Sequence, residues 1–405
     1  LKIAVNPNRP FCLRAWPVSI VLLGVLMAAV GTSAEPPLKD ERPGLLAPRP
    51  SPLASALPWV PGSWTLVVLP DTQRYTDTRW DPDLVIFRVM TRWIADNKEA
   101  RNIKFVLHEG DITSGNTATV TPPNKVPAWQ VASDAMAILD KAGIPYSLTT
   151  GNHDHDRWGP FRNSPTRDTF LNDFFPVSRY KSMPTFGGVF EPGKTENNYH
   201  LFSAGGTDYI IVALEWGPRN EAVAWADGVL SQHSGRTALI VTHAYTYKDG
   251  TRYDWATKGT RQKVSPHCKS YGFSAPHDGS ANVNDGEQLW QKLISKHANV
   301  RMVFSGHLNN GARQTSVGQH GQKVHEMMAA YHDPPEGYLR LLEFLPDGKT
   351  VQVRTFSPYL KKPATGPLSP PKGGWRWGTH VPSLTDDKNQ FLLEVDPVRK
   401  PTSTK

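Results

Sequence analysis

The chain has 405 residues, enough for one large domain or two ordinary ones. Its 45 basic residues against 37 acidic ones give a net charge of +8, and they are scattered rather than clustered, so no nucleic-acid-binding signature is present. The mild excess is open to two readings, steering of anionic substrates or solubility alone. Of the two cysteines, Cys12 falls in a segment expected to be removed, which excludes a disulfide within the mature chain.

At the N-terminus, Lys2, Arg9 and Arg14 precede an apolar stretch over 18–30, and Thr32-Ser33-Ala34 offers small residues for cleavage. Residues 1–34 therefore read as a secretory signal peptide, which implies a secreted or periplasmic protein. The stretch is shorter than the roughly 20 residues that span a bilayer, although an uncleaved anchor stays open. No other segment is apolar enough to span. Residues 35–62 form a Pro-rich linker, and residues 63–357 read as the folded domain.

Within that domain, apolar runs alternate with helical patterns. The run 66–69 ends in Asp71-Thr72-Gln73, and Leu84, Phe87, Met90, Trp93 and Ile94 follow at helical spacing. The run 103–107 ends in His108-Glu109-Gly110-Asp111, with Val131, Ala135, Ile138 and Leu139 forming the next helical face. The run 146–150 ends in Gly151-Asn152-His153-Asp154, the run 239–241 in Thr242-His243, and the run 300–304 in Ser305-Gly306-His307-Leu308-Asn309. Asp285 and Gln288 have the spacing of a capping box for the helix before that last run. Strand patterns then recur at 323–330, 338–345, 351–356 and 390–395, with a Pro/Gly-rich C-terminal extension over 358–405 that contains the final strand.

Runs rich in Val, Ile and Leu read as strands buried on both faces, and ligands gather beyond the carboxyl ends of such strands. Asp, Asn and His are thus delivered repeatedly to one rim, a donor set for hard or borderline divalent metals.

Taken in order, these clusters resemble the calcineurin-like metallophosphoesterase superfamily, with its Asp-x-His, Gly-Asp, Gly-Asn-His-Asp/Glu, lone His and Gly-His-x-His segments. The resemblance covers about Thr65 to Asn309. It implies an α/β fold, a layered αββα sandwich of two mixed β-sheets flanked by helices. It also implies two divalent metal ions (Mn, Zn, Fe or Mg), with Asp111 bridging them. Asp71 would hold the first, and Asn152, His243 and His307 the second. His153 would lie beside the scissile phosphate as a catalytic group, with Asp154 fixing its tautomer. Asn152 and, from the same loop, Arg157 are candidate substrate-binding residues.

Two positions depart from the pattern. Gln73 and Asn309 stand where histidines are expected around the first metal; their amide oxygens can ligate but suit Mn or Mg better than Zn or Fe. The absence of a Tyr three residues after Asp111 disfavours the purple acid phosphatase branch. His108 and His155 flank the motifs and are open to substrate contact or a supporting role. The long connection over 244–284, rich in aromatics, is a candidate substrate wall or simply structural packing. His267, Cys268 and His277 within it match no zinc spacing well. Trp216 and Arg219 are open to lining the pocket or to core packing and capping.

The resulting expectation is an exported phosphoesterase that hydrolyses phosphate mono- or diesters by attack of a metal-bound hydroxide. Its rival is a non-catalytic binding or scaffold protein on the same fold with a degenerate first metal site. Nothing in the sequence sets the oligomeric state or the substrate.

Overall fold

A computed structural model describes residues 57–117, 120, 125–155, 167–269, 273, 282–360 and 383–398. The predicted signal peptide, most of the predicted linker, Arg157, His277 and most of the Pro/Gly-rich segment after Tyr359 lie outside the described residues.

The chain runs β1 (Trp64–Leu69), α1 (Ile86–Asp96), β2 (Ile103–His108), α2 (Ala128–Lys141) and β3 (Tyr146–Leu148). Two short helices follow, α3 (Leu171–Phe174) and α4 (Val177–Lys181), then β4 (Phe186–Val189), β5 (Asn198–Ala204) and β6 (Thr207–Leu214). Next come α5 (Asn220–Gln232), β7 (Thr237–Thr242), α6 (Trp255–Lys258), α7 (Gly286–Lys292) and β8 (Val300–Ser305). The last part is all strand: β9 (Asn310–Val317), β10 (Lys323–Ala330), β11 (Leu339–Phe344), β12 (Thr350–Phe356), β13 (Ser383–Leu384) and β14 (Phe391–Glu394).

The strands form two mixed sheets. One has the order β13-β12-β11-β1-β2-β3, with β14 also on β12; the other runs β4-β5-β6-β7-β8-β10-β9. In each, parallel pairs (β1–β2–β3 and β6–β7–β8–β10) sit beside antiparallel ones.

Alternation along the strands explains the layers. Leu66, Val68, Phe105 and Leu107 point inward and meet Ile211, Leu239, Val241, Met302 and Phe304 of the facing sheet. Val67, Leu69 and Val106 point outward, where Phe87, Met90 and Ile94 of α1 and Ala132, Ala135 and Leu139 of α2 cover them. On the other outer surface Ile210, Val212 and Ile240 are covered by Val223, Ala226 and Leu230 of α5 and by Leu289 of α7. Strands buried on both faces have no polar positions to spare, hence the unbroken apolar runs. The fold is the expected αββα sandwich. The capping box at α7 forms as expected, Gln288 N–H donating to Asp285 Oδ1 at 3.0 Å and Asp285 N–H to Gln288 Oε1 at 3.0 Å.

The final strand, β14, packs Phe391 and Leu393 into the inter-sheet core and leaves Leu392 54% exposed, as an edge strand should. Among the described residues no helix is long and apolar enough to cross a membrane.

Candidate metal centre

The carboxyl ends of β1, β2, β3, β7 and β8 converge, and the polar clusters that follow them meet there. Asp111 Oδ2 lies 3.2 Å from His243 Nε2 and 3.8 Å from His153 Nε2. Ligand atoms of Asp111, His243 and His307 all lie within 4.8 Å of one another, and all three residues are buried.

Each imidazole is oriented by a carbonyl on its far side. His243 Nδ1 donates to Glu109 O at 2.8 Å, which leaves Nε2 buried with no hydrogen bond and facing Asp111. His307 Nε2 donates to Val264 O at 2.8 Å, leaving Nδ1 to the site. Backbone carbonyls fixing the outer nitrogen of a histidine are the usual support of a metal ligand.

Glycines set the close approaches. A Cβ on Gly151 would fall 2.1 Å from Asp111 Oδ1, and one on Gly306 would fall 2.0 Å from Asp71 Oδ1. A Cβ at either position would force the facing carboxylate to shift, and at Gly151 the Asp111 backbone as well, so the Gly of each motif is a cradle for the carboxylate it faces. Asp111 (φ 49°) and His307 (φ 78°) themselves adopt left-handed backbone, a cost of order 1–3 kcal/mol each that persists at sites where position matters more than comfort.

Electrostatics favour positive charge here. Burial pushes Asp71 up to about 7, with the charge of Asp111 adding and His243 opposing. Burial would also raise Asp111, but His243 and His153 outweigh it and hold this carboxyl well below the usual range. Burial would lower His243, yet Asp111 and Asp71 raise it to about 9. A proton on His243 therefore neutralises the pair, and a divalent ion would replace that proton. The buried Nε2 of His243 and the carboxylates around it fit such an ion.

The remaining expected residues divide. Asn152 and His153 line the same pocket as Asp111 and His307, a cavity of about 460 Å³. His153 N–H donates to Asp111 Oδ1 at 2.9 Å, and its Nδ1–H reaches Ser114 O at 3.4 Å. Asp154 does not hold the His153 ring, contrary to expectation. Its carboxylate accepts from Gly151 N (2.8 Å), Ile112 N (3.1 Å), Thr113 N (3.0 Å) and Thr113 Oγ1 (3.3 Å), tying two loops together. Neighbours in the 3₁₀ turn Asn152–Asp154 point about 120° apart, which sends one side chain to the pocket and the next into the loops.

Around Asp71 the picture changes again. Its carboxylate accepts from His307 N at 3.1 Å by either oxygen. Gln73 donates from Nε2 to Asp111 Oδ2 at 3.1 Å, and its Oε1 is buried without a partner. Asn309 lines the same pocket, but its amide is engaged elsewhere: its Nδ2 donates to Asp333 O, and its Oδ1 accepts from Asp333 N at 3.3 Å. Both ends of that amide thus bond one backbone segment, and no ligand contact of Asn309 with the centre is seen among the described residues.

His108 and His155 support rather than touch the pocket. His108 accepts from Gly110 N (3.2 Å) through Nδ1 and so donates from Nε2 to Thr72 Oγ1 (2.9 Å). His155 Nδ1 donates to Arg167 O (3.3 Å), and Nε2 sits 2.7 Å from Thr150 Oγ1. Trp216 is buried behind the imidazoles, 5.5 Å from His243 and 5.0 Å from His307 by ring centres, while Arg219 pairs with Glu215 and Glu191. From the long connection after β7, Val264 reaches the pocket wall, whereas His267 bonds Gln288 at 2.7 Å.

Sequence reasoning missed Arg74, Arg79, Trp80 and His332, all of which line the pocket. Arg74 stacks on Trp80 at 3.5 Å and pairs with Asp333 at 3.2 Å. None of these lies in a strand-end motif.

Fold and site together define a metal-binding α/β sandwich of the phosphoesterase kind. Residues 66–310 match the calcineurin-like phosphoesterase family, and the chain belongs to that family. It is 32% identical over 308 residues to the uncharacterized protein YvnB of Bacillus subtilis (strain 168), an alignment covering 74% of this chain but 20% of that protein. The chain thus spans about a fifth of the length of that relative. Among solved structures it is similar to GAP50, the anchor in the inner membrane complex of Plasmodium, at 11% identity and a TM-score of 0.35. That match covers 73% of this chain and 85% of the other.

Proposed function

We propose that this chain is an exported, metal-dependent phosphoesterase acting on phosphate mono- or diesters. The observation that carries the reading is the buried set Asp111, His243 and His307, with ligand atoms within 4.8 Å, beside a pocket that His153 also lines. When bound, divalent ions at such a centre supply Lewis-acid activation, lowering the pKa of coordinated water from about 15.7 toward about 7.

The chain's own residues do the rest. Asp111 would hold the ions, and its carboxylate is fixed by the N–H of His153 on one oxygen and the amide of Gln73 on the other. His153, with Nδ1–H turned to Ser114 O, presents Nε2 to the pocket as the atom that passes a proton to a departing oxygen. Arg74 and Arg79 line the same pocket, paired with Asp333 and Asp77, and their guanidinium N–H groups suit an anionic ester. Export rests on the basic, apolar and small-residue order of residues 1–34.

The test is hydrolysis of an aryl phosphate mono- and diester by chelator-treated protein. Activity is expected to vanish and to return on adding Mn, Zn, Fe or Mg. Full turnover without metal would overturn the reading.

A further inference from the structure

The altered half of the centre is supplied with an imidazole that none of the strand-end motifs contains. His332 follows β10 in the segment Tyr331-His332-Asp333. Its Nδ1 lies 3.4 Å from Asp71 Oδ2, is shut off from solvent, and makes no hydrogen bond. A buried ring nitrogen without a partner is costly, and one aimed at a carboxylate oxygen marks a place where something binds both. Nitrogen and carboxylate ligands each sit about 2.0–2.2 Å from a first-row ion, so two of them on one ion stand roughly 3–3.5 Å apart. The His332–Asp71 separation falls in that range.

Further observations point the same way. The side chain expected to ligate here, Asn309, is bonded at both ends of its amide to the backbone of Asp333, the residue after His332. Arg74 holds the Asp333 carboxylate from the other side at 3.2 Å. In the same pocket, Gln73 offers a buried Oε1 that no hydrogen bond uses. Topology permits the exchange: β8 and β10 are parallel neighbours, paired from His325↔Met302 to Met328↔Ser305. Their carboxyl ends therefore reach one rim, and a ligand lost after β8 can be replaced from after β10.

We propose that His332 is the imidazole ligand of the first metal ion, together with Asp71, Asp111 and Gln73 Oε1. Asn309 is then a positioning residue, holding the segment that carries His332. The proposal rests on reading the centre as a two-ion site, and it relocates one ligand by chain position while keeping its chemistry.

The test uses the full folded chain and Mn²⁺ alone. Wild-type protein should take up two ions with the electron paramagnetic resonance signature of a coupled pair. His332→Ala should keep one ion, with the six-line signal of an isolated one. Its first-ion affinity should fall by more than the roughly 10–100-fold that loss of an outer-shell partner costs. Asn309→Ala should lose about 10–100-fold at the first ion and nothing at the second. The double variant Asn309→His with His332→Ala should regain the coupled signal. His332→Gln, checked by circular dichroism, guards against misfolding of the alanine variant.

Two ions bound at unchanged affinity in both His332 variants would overturn the proposal, as would loss of both ions together in folded His332→Gln. So would a wild type that takes fewer than two ions. Two ions with no ester hydrolysis would leave the ligand assignment standing and sink the phosphoesterase reading instead.

Discussion

The backbone of Gly306 passes so close to Asp71 that a Cβ there would fall 2.0 Å from Oδ1. His307 N–H, the next donor along, is 3.1 Å from both oxygens of the same carboxylate. The turn after β8 thus grips Asp71 with backbone alone, leaving the side chain of His307 for the set it forms with Asp111 and His243.

Gly306→Ala is therefore expected to push Asp71 out of place. Overpacking of a buried site costs about 1–3 kcal/mol, so the protein should fold, less stably. The first ion should bind more weakly while the set Asp111, His243 and His307 keeps the second. Isothermal titration with Mn²⁺ after urea unfolding controls checks this. Unchanged binding of both ions would mean that the contact is easily relaxed.

His153 sits where a proton can be delivered, and its role can be read from the leaving group. Positioned general acids contribute typically about 100- to 10,000-fold. His153→Ala should lose activity in that range on an alkyl ester, whose departing oxygen needs the proton. It should lose much less on a nitrophenyl ester, which does not. Equal losses across a series of leaving groups would assign His153 to charge stabilisation rather than proton transfer.

Asp154 carries a stability prediction in place of a catalytic one. Removing its carboxylate strands the N–H groups of Gly151, Ile112 and Thr113, each worth about 1–3 kcal/mol when buried and unpaired. Asp154→Ala should cost at least about 3 kcal/mol in urea unfolding, and Asp154→Asn less, because one acceptor oxygen remains. The pH–rate profile of Asp154→Asn should match wild type. A displaced profile would restore the link to His153 that adjacency in sequence suggested.

That contrast marks what was legible in the sequence. Apolar runs ending in Asp71, Asp111, Asn152, His243 and His307 were readable because strands buried on both faces tolerate no polar residue until they end. Parallel pairing then brings those ends to one rim. Side-chain direction was not readable: Asp154 follows His153 and serves different atoms, and Asn309 follows the Gly-His motif yet turns to Asp333. His332 escaped notice because it lies beyond the last motif, and its place beside Asp71 depends on β8 and β10 being neighbours. Strands β4, β5 and β9 were missed for another reason. β4 and β9 end their sheet, so Gly187, Gly188, Arg313 and Gln314 need no buried partner, and β5, NYHLFSA, carries polar residues in its alternation.

One of those residues, His200 on β5, sets a pH dependence remote from the metal centre. It is fully buried among the rings of Phe105 (5.2 Å), Tyr180 (5.7 Å) and Phe186 (5.7 Å). Nδ1 lies 3.0 Å from Thr185 Oγ1, and Nε2 is buried without a partner. Burial disfavours the imidazolium and pushes the group down to about 3 from 6.5. Between those values the unfolded chain binds a proton that the folded chain does not, so stability falls as pH falls, by up to about 1.4 kcal/mol per unit. From pH 7.5 to pH 5.0 the loss begins near 6.5 and reaches roughly 2 kcal/mol. His200→Leu removes the titration, so over the same interval it should lose about 2 kcal/mol less than wild type, whatever its stability at pH 7.5. Urea unfolding of both proteins in chelator, which removes any metal contribution, gives the comparison. Identical pH slopes would mean that His200 takes up its proton in the folded state, and that β5 opens to water more readily than its packing implies.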